Sequence, residues 1–262
     1  MITIDYKGRL GNNIFQYCLA RILSLHNNFA IRKVGYEYEN VLLPISGKEF
    51  YYPLDNLGGH TQKINIEEAK CDNPRHILIS GYFQVYDYYK EYKERIRNWL
   101  TNLDVNNDIN KKDIVLHVRG GDLWSGPYNN HHPPCPYSYY NDILKNETFE
   151  KIWIVTENKN DIMANKIKDN WNAQIISTSI INDYNFIKSS TKIVLSLSTI
   201  AWWAAWLSDA TVIYFPEIGM WNPEVDRNSL NLHVNEERYK YIRLRKMDDW
   251  AATPEQVEYI LS

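Results

Sequence analysis

Ile114 to Trp124 reads IVLHVRGGDLW, and the fold turns on how that stretch is read. Ile114, Val115, Leu116 and Val118 are four apolar positions in five, the mark of a strand buried on both faces rather than an alternating one. His117 interrupts the run. The chain then leaves the strand through Arg119, Gly120, Gly121 and Asp122, which puts a fixed positive charge and a carboxylate on either side of a two-glycine turn. Charges at the end of a buried strand are costly without partners. Arg119 and Asp122 could pair with each other across the turn, or Arg119 could wait for an anion.

Working outward toward the C-terminus, the same pattern recurs. KIWIVT (151–156), AQIIST (173–178), KIVLSLS (192–198) and TVIYF (211–215) are apolar runs, and each is separated from the next by a stretch with helical spacing. These helices are expected near 137–145, 161–171, 183–190 and over TIAWWAAWLS, 199–208. Continuous apolar strands alternating with helices predict a parallel sheet covered on both faces. Toward the N-terminus, ITIDY (2–6) and HILISGYFQ (76–84) read as strands. The first is followed by a helix that Asn12 could cap, the second by a helix over 86–100, and a broken Tyr-, Gly- and Pro-rich region runs from Gly35 to about Pro74. The polar TNLDVNNDINKKD, 101–113, is the one linker-like stretch. The expectation is therefore an α/β protein of two Rossmann-like lobes facing a cleft. Residues 1–105 form the first lobe and residues 106–262 the second, with the last helix free to cross back.

Bulk properties remove several classes of function. The net charge of −3 gives no global attraction to nucleic acid or to an anionic membrane, so any anion site must be local. Three cysteines, Cys18, Cys71 and Cys135, form neither a disulfide framework nor a CxxC pair. HHPPC (131–135) lacks a second ligand pair, so no metal is expected. No secretion signal or membrane span is evident, which suggests a cytoplasmic protein. Peripheral membrane association and oligomeric state are left open. Neither GxGxxG, GxxxxGK[ST] nor GxSxG occurs.

Four polar strand ends remain. Arg119 can grip a phosphate with its planar fork, and the glycines after it admit a ligand close to the backbone. GRLGNNIFQY (8–17) is a strand–loop–helix junction bearing Arg9, Gly11 and Asn12. In SLSTIAWWAAWL (196–207), Ser196, Ser198 and Thr199 stand where a strand becomes a helix, which suits an anion or plain helix capping. Trp202 and Trp206 share one face of that helix with Trp203 beside them, for core packing or for contact with a ring. Thr156 and Glu157 end a further strand. Together they suggest a nucleoside diphosphate held by Arg119 and by the helix at Ser198 and Thr199, with the guanidinium doing what a metal does elsewhere.

Four of these segments resemble the fucosyltransferase superfamily, most closely the α-1,2-fucosyltransferases of glycosyltransferase family 11. GRLGNNIFQY is similar to G-R-L-G-N-Q-hydrophobic-F-Q-Y, ISGYFQ to the second shared region, LHVRGGD to H-x-R-R-x-D, and SLSTIAWWAAWL to S-[ST]-F-S-W-W-x-A-W-L. The resemblance implies an inverting, metal-independent glycosyltransferase of GT-B architecture that uses a nucleotide sugar, GDP-linked fucose leading, and a glycan acceptor. It implies that residues 106–262 hold the nucleotide sugar and residues 1–105 lie on the acceptor side, that Arg119 contacts the donor's β-phosphate and that His117 lies on the nucleotide side. It also places Ser198 and Thr199 near the phosphates and Gly8, Arg9, Gly11 and Asn12 in the N-terminal loop. Asp122 is the local carboxylate for the acceptor's proton. One departure stands out: Gly120 occupies the place of the second arginine, which opens the choice to another GDP- or UDP-sugar such as rhamnose, xylose or galactose, or to a binder without catalysis.

Overall fold

The structure is a computed structural model that describes residues 1–34, 54–58, 76–105, 107, 109–124, 131–225, 230–247 and 249–262. Most of the region expected to be broken, 35–74, lies outside the described residues. The chain divides into two compact units, Met1–Leu103 with Arg227–His233 and Asp104–Asp226 with Val234–Ser262. Each is an α/β unit on a wholly parallel sheet, Rossmann-like in build.

The first unit holds strands β1 (Ile2–Asp5), β2 (Ile31–Val34), β3 (Leu54–Gly58) and β4 (His76–Ser80), in the order β2-β1-β4-β3. β2 and β3 are additions to the sequence expectation, too short and too polar to read as buried runs. Helix α1 (Leu10–Asn27) buries Ile14, Phe15, Cys18, Leu19 and Ile22. It begins earlier than expected: Arg9 holds the N-cap position and makes no side-chain cap bond, so Asn12 lies inside the first turn. The entry is tied down by Asn13 and Gln16 instead. Asn13 Nδ2 donates to the Lys7 carbonyl (3.1 Å), and Gln16 accepts from Lys7 N–H (3.1 Å) while donating to the Gly81 carbonyl (2.6 Å). After β4 the expected single helix is two 3-10 turns, Tyr86–Tyr88 and Lys90–Tyr92, leading into α2 (Lys93–Trp99). The last helix belongs to the second unit, whereas residues 230–233 belong to this one, where Asn231 N–H donates to the Gln84 carbonyl at 2.9 Å.

The second unit carries six strands: β5 (Ile114–Val118), β6 (Ile152–Thr156), β7 (Gln174–Ile176), β8 (Lys192–Val194), β9 (Val212–Glu217) and β10 (Tyr239–Arg243). Their order is β10-β9-β8-β5-β6-β7. β10 is a sixth strand beyond the five expected; as an edge strand it is half exposed and reads YKYIR, without an apolar run. The interleaved helices are α3 (Tyr137–Asn146), α4 (Ile162–Trp171), α5 (Ile180–Lys188), α6 (Thr199–Leu207) and α7 (Pro254–Leu261). Ile114, Leu116 and Val118 point to one face, in a core with Tyr139, Tyr140, Ile143, Ile167, Trp250 and Ile260. Alternation sends Val115 and His117 to the opposite face, where α5 and α6 pack together and Trp153 meets Phe186 edge-on, ring centres 5.5 Å apart. All five positions of β5 are buried, as its composition requires.

From β5 the chain builds outward through β6 and β7 on one side, then crosses to β8, β9 and β10 on the other. The strand order therefore reverses between β5 and β8. In open parallel sheets the crevice at the carboxyl ends of such a pair is where ligands bind.

Candidate functional site

Register places the candidates of the second unit along that edge. Leu116 pairs with Val194 and Val118 with Thr156, so Ser196, Arg119 and Thr156 leave three neighbouring strands at one level. His117 bridges the reversal point: its Nδ1 lies 2.7 Å from Ser196 Oγ, and both residues are buried. Burial first, and the Arg119 charge second, push the His117 pKa down from 6.5 to about 3, so the imidazole is neutral and exchanges one hydrogen bond with the serine. Tyr140 O–H donates to the His117 carbonyl at 3.2 Å and fixes the strand end from the other face.

Arg119 does pair across the turn. Its Nη2 donates to Asp122 Oδ1 at 2.8 Å, and Asp122 is half exposed. That contact leaves the guanidinium incompletely used, because Nε is buried with no hydrogen-bond partner. Thr156 Oγ1 is likewise buried and unpartnered on the adjacent strand end. Buried polar groups of this kind cost about 1–3 kcal/mol each until something bonds them. Glu157, next in the chain, is exposed.

Beyond β8, Ser198 sits at the N-cap of α6 in extended conformation, φ −149° and ψ 121°, and its side chain makes no cap bond. Capping by hydroxyls, one of the two expectations for this cluster, is therefore not what the residues do here. Ser198 is buried, Thr199 is half-buried, and the first N–H groups of α6 carry the positive end of the helix dipole. The three tryptophans settle on core packing. Trp202, Trp203 and Trp206 are fully buried, with Trp202 and Trp206 stacked at 5.3 Å.

The other end of α6 is held by a residue that the sequence did not single out. Arg238 Nη2 donates to the Trp206 carbonyl (2.8 Å) and Nη1 to those of Ser208 (2.8 Å) and Ala210 (3.2 Å), while Nε donates to Glu236 (2.6 Å). A second unflagged residue is Asp161, buried at the N-terminus of α4. It accepts from Trp124 Nε1 at 2.7 Å and from Gly121 N–H at 3.4 Å. An Asp before a helical run signals a cap in sequence; that it also reaches the Arg119 turn depends on which strand lies beside β5.

Gly120 has a steric reason of its own. A Cβ there would stand 1.6 Å from Asp161 Oδ2 and 2.7 Å from Trp124 Nε1, so the volume beside Arg119 belongs to a carboxylate and admits no second side chain.

Arg9, Gly11 and Asn12 belong to the first unit, at the carboxyl end of its own sheet. Asn12 Oδ1 accepts from Gln84 Nε2 at 2.9 Å, and Gln84 Oε1 is buried without a partner. Asp5, beside them, accepts from Ser80 Oγ (3.1 Å) and pairs with Lys7 (2.8 Å). Among the described residues no three His, Cys, Asp or Glu side chains are grouped so as to hold a metal ion. No helix among them is long and apolar enough to cross a membrane.

The second unit is a parallel α/β unit whose strand-order reversal carries an arginine, buried hydroxyls and a helix N-terminus, the edge at which such sheets take their ligands. The family follows from comparison: the model for glycosyl transferase family 11 matches residues 21–235, and the chain belongs to that family. It is a glycosyltransferase. The matched span contains the Arg119 turn, Thr156 and the Ser196–Thr199 segment, and begins after the Gly8–Tyr17 loop. No curated protein matches the chain. Among solved structures, E. coli ADP-heptose lps heptosyltransferase II aligns with a TM-score of 0.46 at 9% identity, over 98% of this chain and 96% of that one.

Proposed function

We propose that this glycosyltransferase moves a sugar, fucose leading and GDP-linked, from its nucleotide to a hydroxyl of a glycan acceptor, with inversion and without a metal. The observation that carries the reading is the reversal point of the second sheet. There the His117–Ser196 bond, the α6 N-terminus and the incompletely bonded Arg119 come together on two adjacent strand ends. A diphosphate offers the acceptors that Arg119 Nε, Thr156 Oγ1 and the α6 N–H groups lack.

In the proposed reaction the acceptor oxygen attacks the anomeric carbon as the bond from that carbon to the β-phosphate oxygen breaks. The electron pair leaves with the nucleoside diphosphate, whose growing charge Arg119 meets. The acceptor's proton passes to a carboxylate, Asp122, which a diphosphate competing for Arg119 would release from its ion pair. Localisation in the cytoplasm remains part of this proposal.

Gly120 keeps the donor question open, since the neighbour of Arg119 in space is the Asp161 carboxylate rather than a second cation. Other GDP- or UDP-sugars are therefore the alternative donors. The test is Arg119→Ala, which should lower transfer about 10²–10³-fold. Near-normal transfer by a folded variant would refute the assignment, and a strict Mn²⁺ requirement in the parent would refute the metal-free mechanism. A thermal-shift panel of GDP, UDP and their sugars identifies the donor.

A further inference from the structure

Asp161 divides its carboxylate between two tasks. Oδ1 accepts the N–H groups of Met163 (3.0 Å) and Ala164 (3.1 Å) and so caps α4. Oδ2 accepts the Trp124 indole (2.7 Å) and the Gly121 N–H (3.4 Å), both on the turn that follows Arg119. A cap needs only the first oxygen. Ser179 and Thr253 cap α5 and α7 with one hydroxyl each, at no cost of a buried charge.

Burying a carboxylate at 2% exposure is expensive unless every oxygen is bonded. Here the second oxygen is bonded solely by the Arg119 turn, and Gly120 is emptied of a side chain to let it approach. The same turn carries Asp122, which is bonded to Arg119. The Asp161 bonds and the bare Gly120 together hold residues 120–124 against the N-terminus of α4.

We propose that Asp161 is a positioning residue for the diphosphate contact: through Gly121 and Trp124 it sets the turn from which Arg119 and Asp122 act. The inference rests on Arg119 holding the donor diphosphate. It also explains how a single arginine can serve where a second one has no room. The guanidinium is pre-oriented by a turn locked from the neighbouring strand, so less freedom is lost on binding.

The decisive variant is Asp161→Asn in the full chain. Asn caps a helix about as well as Asp, so the bonds to Met163 and Ala164 survive. Its amide nitrogen then faces two N–H donors, and the tie to the turn is lost. GDP and UDP are both titrated by calorimetry, and the tighter is the probe. The expected result is a rise of about ten- to a hundredfold in its Kd, matched by the KM for the nucleotide sugar. A change in Trp124 emission should accompany it.

Asp113→Ala is the control. Asp113 Oδ2 accepts the Trp153 indole at 2.8 Å, a contact of the same kind at the opposite end of β5. Its loss should cost stability and leave nucleotide affinity alone. Should Asp161→Asn fail to fold, Trp124→Phe removes the indole donor with the cap intact, and should weaken the probe about three- to tenfold.

An unchanged Kd in folded Asp161→Asn, or an equal loss in Asp113→Ala, overturns the positioning role. If Arg119→Ala binds the probe like the parent, the failure lies in the reading of Arg119 itself. If Arg119→Ala loses the probe while Asp161→Asn keeps it, only the role of Asp161 fails.

Discussion

Gly120→Ala is the smallest change that probes the Arg119 turn. The added methyl would lie 1.6 Å from Asp161 Oδ2 and 2.5 Å from its Cγ, so one side must move. Asp161 cannot yield cheaply, because its oxygens hold four N–H groups. Overpacking a filled site costs about 1–3 kcal/mol. Breaking one or two bonds to a buried carboxylate adds about 1–3 kcal/mol more. A loss of about 2–6 kcal/mol is therefore expected, a large share of the ~5–15 kcal/mol that stabilises a typical domain.

Gly121→Ala supplies the contrast. Nothing lies within 4 Å of its Cβ position, but its φ is +60°, so the cost is conformational and about 1–2 kcal/mol. Urea unfolding followed by tryptophan emission measures both, and it reports the second unit because every tryptophan but Trp99 lies there. Equal slopes would let the midpoints be compared directly. Combined with Asp161→Ala, Gly120→Ala should cost far less than it does alone, since the methyl then enters the space the carboxylate left. If Gly120→Ala is as mild as Gly121→Ala, the steric account of this glycine is wrong.

Two further outcomes follow from buried polar groups. Because the folded state holds the His117 pKa near 3 against an ordinary 6.5, the unfolded chain alone takes up this proton on acidification. Stability from this residue is complete above about pH 6.5 and falls toward pH 3, by on the order of 5 kcal/mol. His117→Gln should flatten that part of the profile in urea titrations at stepped pH; an unchanged slope would show that His117 titrates freely. Arg238→Ala should cost about 2–4 kcal/mol by stranding the carbonyls at the end of α6, and Arg238→Lys should recover only part of it for want of the planar fork. Equal stability in all three proteins, by thermal unfolding, would remove Arg238 from the account.

Much of the second unit is legible in one dimension. Runs such as IVLHV and IWIVT are apolar without alternation, and only a strand covered on both faces uses such a run, so a parallel sheet follows. YKYIR escapes this logic because an edge strand needs no apolar run, and β2 escapes it at four residues. Asn12 misleads for a different reason. It is a good cap residue, but the side chains of Asn13 and Gln16 reach back and start α1 three residues earlier.

The site divides in the same way. Arg119, Thr156 and Ser196 can be singled out from sequence because each follows or ends a buried run, and His117 because it interrupts one. The segments that resemble the family likewise need nothing beyond residue order. Which strand lies beside which is decided by tertiary structure, since pairing depends on contacts between residues far apart in the chain. Strand order alone brings His117 to Ser196 and Asp161 to the turn after Arg119. Gly120 shows the difference most plainly. Read along the chain it is a missing charge; in the fold it is room made for a carboxylate at the start of the helix that follows the next strand, and no local pattern could have announced that neighbour.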